Sequence, residues 1–67
     1  MPIDPNPALD LLTIVEAADL LKLSVSGMRR LQQQRRIPFI KVGGRIRFAR
    51  QDLASFVQKN RVETIGP

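Results

Sequence analysis

Sixty-seven residues make one small domain at most, and a chain this short buries only about 60% of the surface its unfolded form exposes. It contains neither cysteine nor histidine, which excludes a disulfide framework and the usual zinc sites and removes the commonest general base. No catalytic residue, metal or cofactor is expected, and the chain does not read as an enzyme. No apolar run approaches the roughly 20 residues of a membrane span, and the start, MPIDPNPALD, lacks the pattern of a signal peptide. The expectation is a cytoplasmic protein, and a hydrophobic content of 43% fits a folded domain.

The net charge of +5 is unevenly distributed. Asp4, Asp10, Glu16 and Asp19 are the only charged side chains of residues 1–21. Residues 22–50 carry nine cations and no carboxylate: Lys22, Arg29, Arg30, Arg35, Arg36, Lys41, Arg45, Arg47 and Arg50. Such a cluster repels itself, and a polyanionic partner offsets that cost. Eight of the eleven basic residues are Arg, the side chain suited to forked contacts with phosphates and base edges.

In chain order, residues 1–11 read as a flexible arm, because Pro2, Pro5 and Pro7 interrupt any helix. Thr13-Ile14-Val15-Glu16 then reads as a capping box. Ile14, Ala17, Ala18 and Leu21 follow at helical spacing, which predicts a helix over about 14–22, with Leu12 stapling its start. After Leu23, Ser24 is an N-cap for a second helix over about 25–34. Met28 and Leu31 point inward on it. Ser26, Arg29, Arg30 and Gln33 collect on the opposite face, with Gln34 at the flank. Gly27 either allows a close approach or is a tolerated weak residue.

Ile37-Pro38 ends that helix. Two β-branched and aromatic runs, Phe39–Val42 and Arg45–Phe48, flank Gly43-Gly44 and predict a tight hairpin. Ile40, Val42, Ile46 and Phe48 are expected to pack, leaving Lys41, Arg45 and Arg47 on the other side. Ala49, Leu53, Phe56 and Val57 give a third apolar stripe and a helix to about Lys59. Residues 61–67 read as a flexible tail. The fold class is mostly α with a β-hairpin wing, a winged helix-turn-helix over residues 12–60.

Two short helices joined by a tight turn suggest a helix-turn-helix whose second helix enters the DNA major groove. Arg29 and Arg30 suit guanine O6 and N7, and Gln33 and Gln34 suit adenine N6 and N7. Ser24 and Ser26 sit at the helix start, where phosphate is favoured. Lys41, Arg45 and Arg47, with Gly43 and Gly44 at the hairpin tip, would hold phosphates or probe the adjacent minor groove. The candidate DNA-binding residues are therefore Ser24, Ser26, Arg29, Arg30, Gln33, Gln34, Lys41, Gly43, Gly44, Arg45 and Arg47. The plainer alternatives are a solvated helix face and charges that protect a short hairpin's edge. Arg35 and Arg36, at the end of the second helix, read as only complementing the helix dipole.

Across residues 11–58 the chain resembles the excisionase-like branch of the MerR-type winged helix-turn-helix domains. The resemblance is carried by Thr13-x-x-Glu16-Ala17-Ala18, Leu23-Ser24, Ile37-Pro38, Val42-Gly43, Arg47-Phe48 and Asp52-Leu53. The chain departs from the pattern at Arg35, where the family usually has glycine, and at Arg29, where it often has an aromatic residue. The resemblance implies binding to double-stranded DNA. With no heptads or effector segment after the module, it points to the stand-alone members, excisionases or recombination directionality factors of phages and mobile elements. These bind neighbouring sites, bend the DNA and help an integrase excise the element in a bacterial cell. The implied partners are DNA, an integrase or recombinase, and further copies of the chain arranged head-to-tail on DNA. A small transcriptional regulator on the same fold is the alternative. A module for RNA or an acidic protein is disfavoured on the RNA side, because Phe48 and Phe56 fall on core faces and leave no stacking platform.

Overall fold

The computed structural model describes residues 10–64. Residues 1–9 of the arm expected over 1–11, and residues 65–67 of the tail expected over 61–67, therefore lie outside the described residues. Within them, β1 (Leu11–Leu12) leads into α1 (Ile14–Leu21), and α2 (Val25–Gln33) follows. Then come β2 (Ile40–Val42), β3 (Arg45–Ala49) and α3 (Arg50–Lys59). The three strands form one antiparallel sheet in the order β1-β3-β2. Three helices and this small sheet make a winged helix-turn-helix.

The local signals behave as their chemistry requires. The Thr13 hydroxyl accepts from the Glu16 N–H at 3.2 Å, and the Thr13 N–H donates to the Glu16 carboxylate at 2.9 Å. Ser24 caps α2 by accepting the Gly27 N–H at 3.0 Å. A β-carbon at Gly27 would stand 3.2 Å from that same hydroxyl, so the glycine leaves room for the cap. The turn between α1 and α2 is closed by Lys22, at φ 59. Its N–H reaches the Asp19 carbonyl, and the Leu23 N–H reaches the Ala18 carbonyl.

The core gathers one or two residues from nearly every element: Leu12, Ala17, Ala18, Met28, Ile37, Phe48 and Leu53. Phe48, Met28 and Leu53 are its largest fully buried side chains. Ile14, Leu21, Val25, Leu31, Phe39, Ile46 and Phe56 pack around them, partly buried.

Four expectations need correction. Leu11, assigned to the arm, is in β1 and pairs with Ala49, while Leu12 pairs with Phe48. Ala49, taken as the start of the third helix, is instead the last residue of β3 and the N-cap of α3. Val57, placed on the core stripe, is 51% exposed. The hairpin's faces also differ. Gly43 and Gly44 both have positive φ, 56° and 80°, which makes a two-residue turn of the type that matches strand twist. That turn pairs Val42 with Arg45, Lys41 with Ile46 and Ile40 with Arg47. Paired residues share a face. Ile40 and Val42 thus lie with Arg45 and Arg47 on one face and are exposed, while Lys41 lies with Ile46 on the face that buries Phe48.

Candidate nucleic-acid interface

α2 presents its polar side by simple periodicity. Met28 is fully buried and Leu31 half-buried. At 100° per residue, Ser26 and Gln33 point most directly away from them, with Arg29 and Arg30 on either flank. The Arg29 flank faces the sheet. There Arg29, Gln32 and Gln33 of α2 form one wall of an open groove of about 440 Å³. Arg45, Ile46 and Arg47 of β3 form the other, and Thr13 and Ile14 at the start of α1 close one end.

Arg29, Arg45 and Arg47 place three guanidinium groups around this groove. Arg47 is half-buried, and its Nη1 donates to the Ile46 carbonyl at 2.8 Å. That bond restrains the guanidinium, and a group ordered in advance costs less entropy to bind through. The one acidic group whose titration is shifted nearby is Glu16. The Thr13 backbone N–H, then the Thr13 side chain, hold its carboxyl below the ordinary 4.5, and Arg47 and Arg50 lower it further. Among the described residues the only ion pair joins Arg50 to Asp10. Arg29, Arg30, Arg45 and Arg47 thus have no ion-pair partner among the described residues. No group of three or more His, Cys, Asp or Glu side chains among the described residues is placed to hold a metal.

Residues 11–61 match the helix-turn-helix domain family, a stretch that takes in every helix and strand of the structure. The chain belongs to that family. It is a DNA-binding domain. Neither the curated proteins nor the solved structures furnish a match. The family is typically non-enzymatic, and among the described residues no helix is long and apolar enough to cross a membrane.

Within this helix-turn-helix domain, the groove brings together four of the residues singled out from sequence: Arg29, Gln33, Arg45 and Arg47. Ser24, Ser26, Arg30 and Gln34 are exposed but do not line it. Ser24 also has a structural task as the cap of α2. Gly43 and Gly44 form the exposed wing tip, and Lys41 is exposed beside Ile46 rather than beside Arg45 and Arg47. Sequence reasoning missed Thr13, Ile14, Gln32 and Ile46. Gln32 carried a usable signal, because a residue three beyond Arg29 lies next to it on a helix surface. Thr13 and Ile14 join the groove only through the packing of α1 against the wing.

Proposed function

We propose that this helix-turn-helix domain is an architectural DNA-binding protein of the excisionase type, which binds and bends attachment-site DNA to promote integrase-mediated excision. The observation that carries the DNA contact is the groove between α2 and β3, with unpaired arginines on both walls. Seated on B-DNA, α2 would read the major groove through Arg29, Arg30, Gln33 and Gln34, with Ser24 and Ser26 at its start. Arg45, Arg47 and Lys41, around the Gly43-Gly44 tip, would hold the backbone beside it. The excisionase assignment itself rests on the sequence resemblance over residues 11–58. Residues 12–60 would form the working domain, acting in the cytoplasm of a bacterial host on nucleoid DNA.

Head-to-tail assembly on DNA fits the charge division between the first third of the chain and its middle. Of the acidic residues that could face a neighbour's wing, Asp10 is tied to Arg50 and Glu16 to the Thr13 N–H. Asp19 is exposed and has no cation within 4.0 Å among the described residues. It is the best placed of them. DNA holding two copies side by side raises their effective concentration to roughly millimolar, enough for weak contacts to matter. Head-to-tail contacts need not close, so they can continue along the duplex.

The test compares duplexes carrying one site and two sites, with sedimentation of the free protein and a gel-mobility assay of bending. Monomers in solution, cooperative binding to the two-site duplex and a bent product are expected. A stable two-fold dimer without DNA, binding a palindromic operator unbent, would replace this reading with that of a small transcriptional regulator.

A further inference from the structure

The turn that leaves α2 contains an unforced strain. Arg35 has φ 55, the left-handed region that L side chains other than Asn and Asp rarely occupy. The hydrogen bonds identify the reason for the conformation. The Arg35 N–H donates to the Gln32 carbonyl at 3.1 Å and the Arg36 N–H to the Leu31 carbonyl at 2.9 Å. This is the paired closure of a Schellman motif, in which the left-handed position belongs by preference to glycine. Arginine at this place gives the backbone nothing that glycine would not give at lower cost. Lys22 closes α1 in the same way, at φ 59 with the same pair of backbone bonds, so what distinguishes Arg35 is its place, at the end of α2 and next to Arg36.

The helix dipole alone does not account for it. Arg36, the next residue, supplies a cation to the same helix end without positive φ. Both side chains are exposed, and neither has a carboxylate within 4.0 Å among the described residues. Together with Ile37, Pro38 and Phe39 they line a concavity at the end of α2 remote from Ser24. The α2–β3 groove does not include them. α2 has nine residues, a length of about 13 Å at 1.5 Å per residue. The major groove is about 12 Å wide. A helix of that length seated in the groove and inclined across it brings its two ends level with the phosphates on opposite walls.

We infer that Arg35 and Arg36 form a second phosphate clamp, gripping the DNA backbone at the C-terminal end of α2, across the groove from the end that Ser24 caps. The inference rests on α2 as the groove-entering helix. Ser24 and the exposed N–H groups of the first turn hold one strand, and the two arginines hold the other. Arg29 and Gln33 are thereby suspended over base edges. The clamp reads no sequence. It sets how deep and at what tilt α2 sits, so its loss weakens every site alike.

Arg35→Gly and Arg35→Ala separate charge from strain. Glycine suits the left-handed position, so Arg35→Gly keeps the fold; alanine keeps the strain and loses only the charge and reach. Duplex binding is followed by fluorescence anisotropy across a salt series, on a specific site and on random duplex, with thermal melts of each protein. Both variants are expected to bind about 3- to 10-fold more weakly on both duplexes. The slope of log K against log salt is expected to be shallower by about one. Arg35→Lys is expected to restore the slope. Wild-type affinity and slope in Arg35→Gly and Arg35→Ala, with the parent protein binding normally, would overturn the clamp and leave the DNA-binding groove intact. A parent protein that binds duplex DNA with no salt dependence would instead remove the reading beneath it.

Discussion

Asp10 and Arg50 meet twice: the Arg50 Nε donates to Asp10 Oδ2 at 2.6 Å, and the Arg50 backbone N–H donates to the Asp10 carbonyl at 3.2 Å. Forty residues separate them in the chain. The pair fastens the start of β1 to the first turn of α3 and so closes the edge of the sheet next to the core strand β3. It also withdraws Arg50 from the pool of cations open to an external anion.

Both side chains are about half exposed, at 52% and 46%, so the ion pair itself contributes no more than about 1 kcal/mol and is screened by salt. Asp10→Asn is expected to cost about 0.5–1 kcal/mol, a fall of several degrees in Tm for a domain this small. The difference should shrink in high salt. Thermal melts at two ionic strengths check it, and an Arg50→Ala cycle isolates the coupling. Equal melting of Asp10→Asn and the parent at low salt would mean that the side-chain pair adds nothing to the backbone bond and the β1–β3 pairing.

Glu16 provides the pH-sensitive element. Its carboxyl is held below 4.5 by the Thr13 N–H first and the Thr13 side chain second. A depressed folded-state pKa means stability that is fully present above the unfolded value and lost as pH falls through the lower folded value. The chain has no histidine, so no side chain titrates at its ordinary pKa between pH 5 and 8 and stability should be level there. Glu16→Gln retains a capping-box acceptor but cannot titrate. Its acid-side decline below 4.5 should be shallower than the parent's, as read by urea midpoints from pH 3 to 7. Superimposable profiles would show that the Glu16 charge adds nothing to the cap.

The hairpin register makes a sharper distinction. Phe48 is fully buried at the centre of the core, whereas Ile40 and Val42 are 38% and 48% exposed. Phe48→Ala should cost about 3–5 kcal/mol, which is comparable to all the stability a core of this size supplies, and the protein should be unfolded at room temperature. Ile40→Thr and Val42→Thr should each change stability by less than about 1 kcal/mol. Circular dichroism melts measure all three. A cost at Val42 approaching that at Phe48 would mean that β2 buries the face described here as open.

What could be read from sequence was local. The capping box of Thr13 and Glu16, the Ser24 cap and the Gly43-Gly44 turn each depend on residues within a few positions. The structure has them all. β1 escaped because two residues, Leu11 and Leu12, acquire strand geometry only from partners 36 to 38 positions away. The wing faces were misjudged although the turn contained the answer. A two-residue turn that pairs Val42 with Arg45 puts even-numbered residues of one strand on the same face as odd-numbered residues of the other. Matching Ile40 and Val42 with Ile46 and Phe48 by parity could not hold. The groove was half legible: Arg29 and Gln33 follow from helix periodicity and Arg45 and Arg47 from the charges of the hairpin, but the part that Thr13, Ile14 and Ile46 line depends on how β3 packs against α1.

The proposed docking would divide labour between the two walls of the groove, and substitutions on each should differ in kind. Arg29 projects from α2, whose side chains would reach base edges in the proposed docking, and a forked contact to guanine discriminates by about 1–3 kcal/mol. Arg29→Ala should therefore weaken the preferred site by about that amount while binding random duplex almost as before, flattening sequence preference. Arg45 lies one pair from the wing tip, opposite Val42, and is exposed. In the proposed docking it would meet the sugar–phosphate backbone from there. Arg45→Ala should weaken all sequences by similar factors and reduce the steepness of log K against log salt by about one. The parent slope should be near −5 if about six phosphates are neutralised. A binding-site selection experiment with each variant, paired with salt titrations on the selected and a scrambled duplex, measures both. If Arg45→Ala altered which sequence is selected and Arg29→Ala did not, readout would belong to the wing and positioning to the helix, and the two walls would exchange roles.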